Sequence, residues 1–178
     1  MIYPFLYQIL GAFDADTLKK DVVRNEKTYK VWEDWNLEEA DSQLIRSYLH
    51  ANYPHMNIMF DRFFISRGNK SNFHVDRFHY FHLSHRILIP FDDSFHYEWI
   101  VNEEVVRMYP KAGQIILFNN MIPHRFVTDV ISENVREVVY LDLIHPDLEP
   151  FIKKMDGNYS IENGILGKNM PKSFKDEI

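Results

Sequence analysis

The chain has 178 residues, 46% of them hydrophobic, with 14 Phe, 10 Tyr and 3 Trp, enough for one domain that buries roughly 70% of its unfolded surface. Its formal net charge is −6 and its basic residues are scattered, so no nucleic-acid footprint is indicated. It has no cysteine, which excludes disulfides, thiolate catalysis and zinc ribbons and leaves His, Asp and Glu for any transition metal.

The opening segment Met1–Leu10 is apolar but lacks a basic start and a small-residue cleavage site. It reads as a strand, Phe5–Phe13, rather than a signal peptide, and no apolar run approaches the roughly 20 residues that span a bilayer. The expectation is a cytoplasmic chain with no membrane partner. Asp14 can cap a short helix through about Val23, with Leu18 and Val22 on one face. Asn36 or Asp41 can start a second helix, whose apolar positions Leu37, Ala40, Leu44, Tyr48 and Leu49 keep helical spacing.

After Pro54 the period changes. Asn57–Ser66 reads as a strand, as does the run from Arg86 to Phe91. Tyr97–Val101 and Val105–Tyr109 flank Asn102-Glu103-Glu104 as a hairpin. Gly113 marks a turn before the strand Gln114–Phe118. His124–Ile131 and Val135–Ile144 read as a further strand pair. About seven short strands between residues 55 and 146 suit a double-sheet jelly roll. The domain divides into an N-terminal strand and helices over about 5–53, the β core over about 55–146, and a polar tail over about 147–178.

Three residues stand out chemically. His74-Val75-Asp76 places an imidazole and a carboxylate two apart, so an extended segment turns both to one side. His124 can come from a distant strand to complete two imidazoles and one carboxylate, the facial triad of non-haem Fe(II) oxygenases, which leaves open positions on the metal. Arg136, inside the apolar run Val135–Leu143, needs an anion if it faces inward, because an unpaired buried charge is costly. That anion is either a dicarboxylate co-substrate or a protein carboxylate such as Glu137 or Asp142. Arg86, leading its own strand, poses the same question. His79, His82 and His85 follow at intervals of three, as helical metal ligands or as loop histidines meeting solvent or substrate. His50, His55 and His145 lie at element ends and read as surface or capping residues, and His96 is open.

At these residues the chain resembles the aspartyl/asparaginyl β-hydroxylase family of 2-oxoglutarate-dependent oxygenases, which includes the free-proline hydroxylases. Four blocks match in order: Ile65–Asp76 with its turn leading to H-x-D; Arg86-Ile-Leu-Ile-Pro-Phe; Ala112–Asn120; and His124-Arg-Phe-Val followed by Asn134-Val-Arg136 through Asp142. The resemblance covers about residues 5–146. It implies a double-stranded β-helix, a cupin-like jelly roll, with N-terminal helices packed on it. It implies Fe(II) held by His74, Asp76 and His124, 2-oxoglutarate and dioxygen as co-substrates, Arg136 on the distal carboxylate, and Arg86 in the pocket. The chain departs from the pattern at Leu88, where the family carries a histidine, and within Gln114–Leu117, where an aromatic is replaced.

The implied activity is hydroxylation of an unactivated C–H bond in a small polar substrate, an amino acid or a peptidyl side chain. Arg77, His79, His82, His85 and Arg86 would stand at the pocket mouth and receive its carboxylate. The alternative is a non-catalytic cupin-like metal-binding or sensor module, which has no need for a dicarboxylate anchor at Arg136.

Overall fold

The computed structural model describes residues 5–32, 35–61, 63–75, 84–128 and 135–150. Asp76, Arg77, His79 and His82 therefore lie outside the described residues, as does most of the C-terminal tail.

A first strand, β1 (Tyr7–Ala12), leads into helix α1 (Ala15–Asp21). Asp14 caps the helix as its spacing predicts, accepting from the Thr17 amide at 2.9 Å. Strands β2 (Val23–Trp32) and β3 (Trp35–Asp41) follow as an antiparallel pair. Helix α2 (Gln43–Asn52) is capped by Ser42, whose hydroxyl accepts from Ile45 N at 3.1 Å. The second helix thus starts at neither Asn36 nor Asp41. Leu37 and Ala40 are three apart, which suits a helix, but residues 35–41 pair with a strand on each side, and that pairing satisfies their backbone. Ala40 joins the core beneath the helices and Leu37 does not, as opposite faces of a strand require.

The remaining strands are β4 (Asn57–Ile58), β5 (Phe63–Gly68), β6 (Ser84–Pro90), β7 (Phe95–Val101), β8 (Glu104–Met108), β9 (Gln114–Phe118), β10 (His124–Thr128) and β11 (Arg136–Ile144). A short 3₁₀ turn, Met59–Asp61, interrupts the strand expected over Asn57–Ser66. The large sheet runs β1-β9-β6-β11-β5-β3-β2, with β4 also on β11. The small sheet runs β10-β7-β8. The chain is a mainly β jelly roll, and the N-terminal region supplies both edges of its large sheet besides the helices.

Residue alternation explains the layering. Ile87 and Ile89 of β6, Ile115 and Leu117 of β9, and Val139, Leu141 and Leu143 of β11 pack with Leu18, Ile45 and Leu49 of the helices. Their neighbours Leu88, Ile116, Phe118 and Val138 pack instead with Phe95, Tyr97, Trp99 and Phe126 of the small sheet. The central strands β6, β9 and β11 of the large sheet are covered on both faces, which is why they read as near-continuous apolar runs. The structure corrects the pairing expected between His124–Ile131 and Val135–Ile144. Here β10 joins β7 while β11 joins β4, β5 and β6, so the two go to opposite sheets. Closeness in sequence suggested a hairpin; burial of both faces of β11 decides otherwise.

Two turns depend on backbone conformation. Asn102 and Glu103 both have positive φ (50° and 67°), as a two-residue hairpin between right-twisted strands requires. Gly113 has φ 80°, and a Cβ there would collide with the carbonyl oxygen of Phe13. Its amide donates to Pro90 O at 2.8 Å and its carbonyl accepts from Phe13 N at 2.9 Å.

On the outer face of the small sheet, Glu98 is buried beneath Arg107 and Arg125, which donate to it at 2.7 and 2.6 Å. His96 lies against it at 3.3 Å, which settles where that histidine stands. Burial pushes the Glu98 carboxyl up, but hydrogen bonds from Arg107, Arg125 and His96 outweigh it and hold the pKa at about 2, below the ordinary 4.5. A depressed carboxylate adds stability above its unfolded pKa and loses it as pH falls toward the folded value. Unfolding free energy should therefore fall between about pH 4.5 and 2, and Glu98→Gln should flatten that limb in urea titrations across pH. An identical slope in the variant would assign acid sensitivity to other carboxylates.

Candidate metal and co-substrate site

Strand pairing itself brings two histidines together. Residues 69–74 run antiparallel to β10, and His74 stands directly opposite His124. The two exchange backbone hydrogen bonds, His74 N to His124 O at 3.0 Å and His124 N to His74 O at 2.9 Å. Directly opposed residues project to the same face. Their rings accordingly lie 4.5 Å apart between centroids, and both residues are buried.

Each ring is oriented by the same local device. His74 Nδ1 donates to Asn72 O at 2.7 Å, and His124 Nδ1 donates to Ile122 O at 2.8 Å. A carbonyl only accepts, so Nδ1 carries the proton and the lone pair of the neutral ring sits on Nε2. That tautomer is the one metal-ligating histidines adopt when the other ring nitrogen is tied to a carbonyl. Among the described residues no group of three His, Asp or Glu gathers to hold a metal. Among the described residues the donors are two imidazoles, and in sequence Asp76 follows His74 by two positions.

His74, His124, Arg86 and Arg136 line one cavity with Ser66, Leu88, Tyr97, Phe118, Phe126 and Tyr140. The two arginines differ in state. Arg86 is paired bidentately with Asp142 across β6 and β11, Nε to Oδ1 at 2.8 Å and Nη2 to Oδ2 at 3.0 Å, and lies over the Tyr140 ring at 4.1 Å. Both members of the pair are buried. Its charge is matched within the protein, which is the protein-carboxylate alternative left open for it by sequence.

Arg136 is fully buried and differently placed. Nη1 donates to the Tyr97 hydroxyl at 3.0 Å, Nη2 donates to the Ser66 hydroxyl at 2.8 Å, and the guanidinium lies over Phe126 at 3.5 Å. Its Nε is buried with no hydrogen-bond partner, and no carboxylate among the described residues forms an ion pair with it. The two carboxylates considered for it are engaged elsewhere: Glu137 by Arg24 and Arg67, Asp142 by Arg86. Burial pushes the guanidinium pKa down from its ordinary value. Among the described residues hydroxyls and an aromatic face solvate this cation, and Asp92 acts on it through its charge without forming an ion pair, so its burial costs several kcal/mol by order of magnitude.

His85 stands apart from these groups. It neighbours Arg86 on a strand, so it faces the other side of β6, opposite Leu143, and does not line the cavity. Its role at the substrate mouth is corrected accordingly; half-burial pushes its pKa down from the ordinary value. His50 and His55 are exposed, and His145 accepts from Asp147 N just beyond β11, as expected for surface and end positions. Sequence reasoning missed Ser66 and Tyr97, the hydroxyls that hold Arg136. Their signal was available: Tyr97 is the polar member of the inward series Phe95, Tyr97, Trp99, and Ser66 follows Phe64 on the same face of β5.

No family model matches the chain, and no curated protein matches it in sequence. In fold it is similar to solved structures at low identity. Hydroxypropylphosphonic acid epoxidase from S. wedmorenis aligns at TM-score 0.38 and 9% identity over 67% of this chain and 55% of that one. A non-heme monooxygenase, the ThoJ–Ni complex, aligns at 0.43 and 12% over 59% and 51%. Vicilin from Corylus avellana (hazelnut) aligns at 0.36 and 14% over 76% and 33%. The chain spans about half the length of the two enzymes. Likeness at this level transfers neither ligand nor activity to the chain. Among the described residues no helix is long and apolar enough to cross a membrane.

Proposed function

We propose that the chain is an Fe(II)- and 2-oxoglutarate-dependent oxygenase that hydroxylates a small polar substrate. The observation that carries this is Arg136: a buried guanidinium that forms no ion pair with a carboxylate among the described residues, on the cavity that also holds the paired histidines. A buried cation with no ion-pair partner among the described residues, beside two Nε2-presenting imidazoles, suits a chelating dicarboxylate, one end toward the metal and the other in the arginine's fork. A metal-holding module without oxygenase activity has no use for such a cation.

His74 and His124 would hold the iron, with Asp76 as third ligand in keeping with the family resemblance. When bound, the iron supplies the dioxygen chemistry that side chains lack. The protein's own contributions are positional. The Asn72 and Ile122 carbonyls fix ring tautomers. Ser66 and Tyr97 aim the Arg136 fork. Phe118, Phe126 and Leu88 keep water from the reacting centre. Arg86, already neutralised by Asp142, contributes a polar wall rather than a free charge, so the substrate's carboxylate would depend on Arg77, His79 and His82.

Arg136→Ala should leave Fe(II) affinity unchanged and weaken 2-oxoglutarate by about 1.5–3 kcal/mol, the worth of hydrogen bonds to a charged group. Arg136→Lys should restore only part, because an ammonium cannot reproduce the bidentate fork. Calorimetry of co-substrate binding to the metal-loaded variants measures both. Equal affinity in wild type and Arg136→Ala would remove the anchor and the reading with it.

A further inference from the structure

Residues 69–74 hold two registers against β10. Lys70 stands opposite Val127, and Ser71 meets Phe126 through Ser71 N to Phe126 O at 3.2 Å and Phe126 N to the Ser71 hydroxyl at 3.1 Å. His74 stands opposite His124. From Ser71 to His74 the chain advances three positions while β10 advances two, so one extra residue is accommodated between them, as in a β-bulge. Were the first register to continue, Phe73 would oppose His124 and His74 would turn outward, because a one-residue slip exchanges the faces of a strand.

The outer face carries a contact that only the second register allows. The inner rung runs His74, His124, Trp99, Val106 across the small sheet. The outer rung, one residue along, runs Phe73, Arg125, Glu98, Arg107. Glu98 is opposite Arg125 and also opposite Arg107, and it accepts from both. The Arg125 guanidinium, tethered by Nε to Glu98 at 2.6 Å, lies over the Phe73 ring at 4.4 Å. In the slipped register Phe73 would leave this face and the contact would be lost.

We propose that Arg125, anchored by Glu98, is a positioning residue that clamps Phe73 outside and thereby fixes His74 toward the cavity. The proposal rests on His74 as a ligand only for its consequence; the clamp itself is a property of the metal-free protein. Hydrogen exchange in metal-free protein tests it at the His74 and His124 amides, which close the inner rung. Arg125→Ala should speed exchange at both by about two- to fivefold, in line with a cation–π contact that is partly open to solvent, while Val139 amide protection in the large sheet holds. Phe73→Leu, which keeps an apolar side chain but removes the ring face, should act in the same direction, and Phe73→Tyr should behave as wild type. Co(II) affinity, read by visible absorption, should fall in parallel with exchange in Arg125→Ala and return in part in Arg125→Lys. Unchanged His74 and His124 exchange in both Arg125→Ala and Phe73→Leu overturns the clamp. Faster exchange with no Co(II) binding in wild type keeps the clamp and overturns the metal assignment instead.

Discussion

Replacing His74 or His124 with alanine should abolish Fe(II) binding while leaving the fold in place. Each imidazole is oriented by a carbonyl two residues before it, so the site is arranged in advance of the metal. Removing one ligand loses a donor bond and the chelate it completes. The loss should exceed the roughly 10–100-fold that follows from removing an outer hydrogen-bond partner of a metal ligand. Backbone pairing between the two positions does not use the rings, so far-UV circular dichroism should be unchanged. Metal titration of the folded variants measures the effect, and undiminished iron affinity in both would remove the paired histidines as ligands.

Asp142→Ala should destabilise the protein by about 3–5 kcal/mol, because it strands the buried Arg86 guanidinium. Against a total of roughly 5–15 kcal/mol for a domain, that is a large fraction. Replacing both partners with apolar residues, Arg86→Met with Asp142→Leu, should recover most of it, since no lone charge remains. Arg136 should behave in the opposite way: Arg136→Met removes a buried cation that no carboxylate among the described residues pairs with, so stability should hold or rise while 2-oxoglutarate binding weakens. Urea unfolding of the variants decides both. A loss below about 1 kcal/mol in Asp142→Ala would mean that water reaches Arg86.

The contrast between Arg86 and Arg136 marks where sequence reading stops. Both open or enter apolar strands, and nothing in the one-dimensional pattern tells which meets a carboxylate. The answer lies in register: Arg86 falls opposite Asp142 across β6 and β11, while Arg136 falls opposite Gly68 and donates to the hydroxyls of Tyr97 and Ser66. The jelly roll was legible because its strands are short, apolar and bounded by turn residues such as Gly113 and Asn102. The helical spacing of Leu37 and Ala40 misled because β3 is satisfied by partners on both sides. Strand β2 gave no clear apolar pattern; Arg24, for instance, pairs with Glu38 and Glu137 rather than with the core. The histidine pair was legible from H-x-D and a later histidine, but the outer rung was not. Arg125 and Glu98 are 27 positions apart, and only the register of β7 with β10 brings them together.

The most direct test is the visible spectrum of anaerobic protein with one equivalent of Fe(II), before and after 2-oxoglutarate. A chelated 2-oxo acid on iron should add a weak charge-transfer band that requires both components and that Arg136→Ala shifts to higher co-substrate concentration. Iron binding without any new band at saturating 2-oxoglutarate would contradict the oxygenase assignment and leave a metal-binding jelly roll.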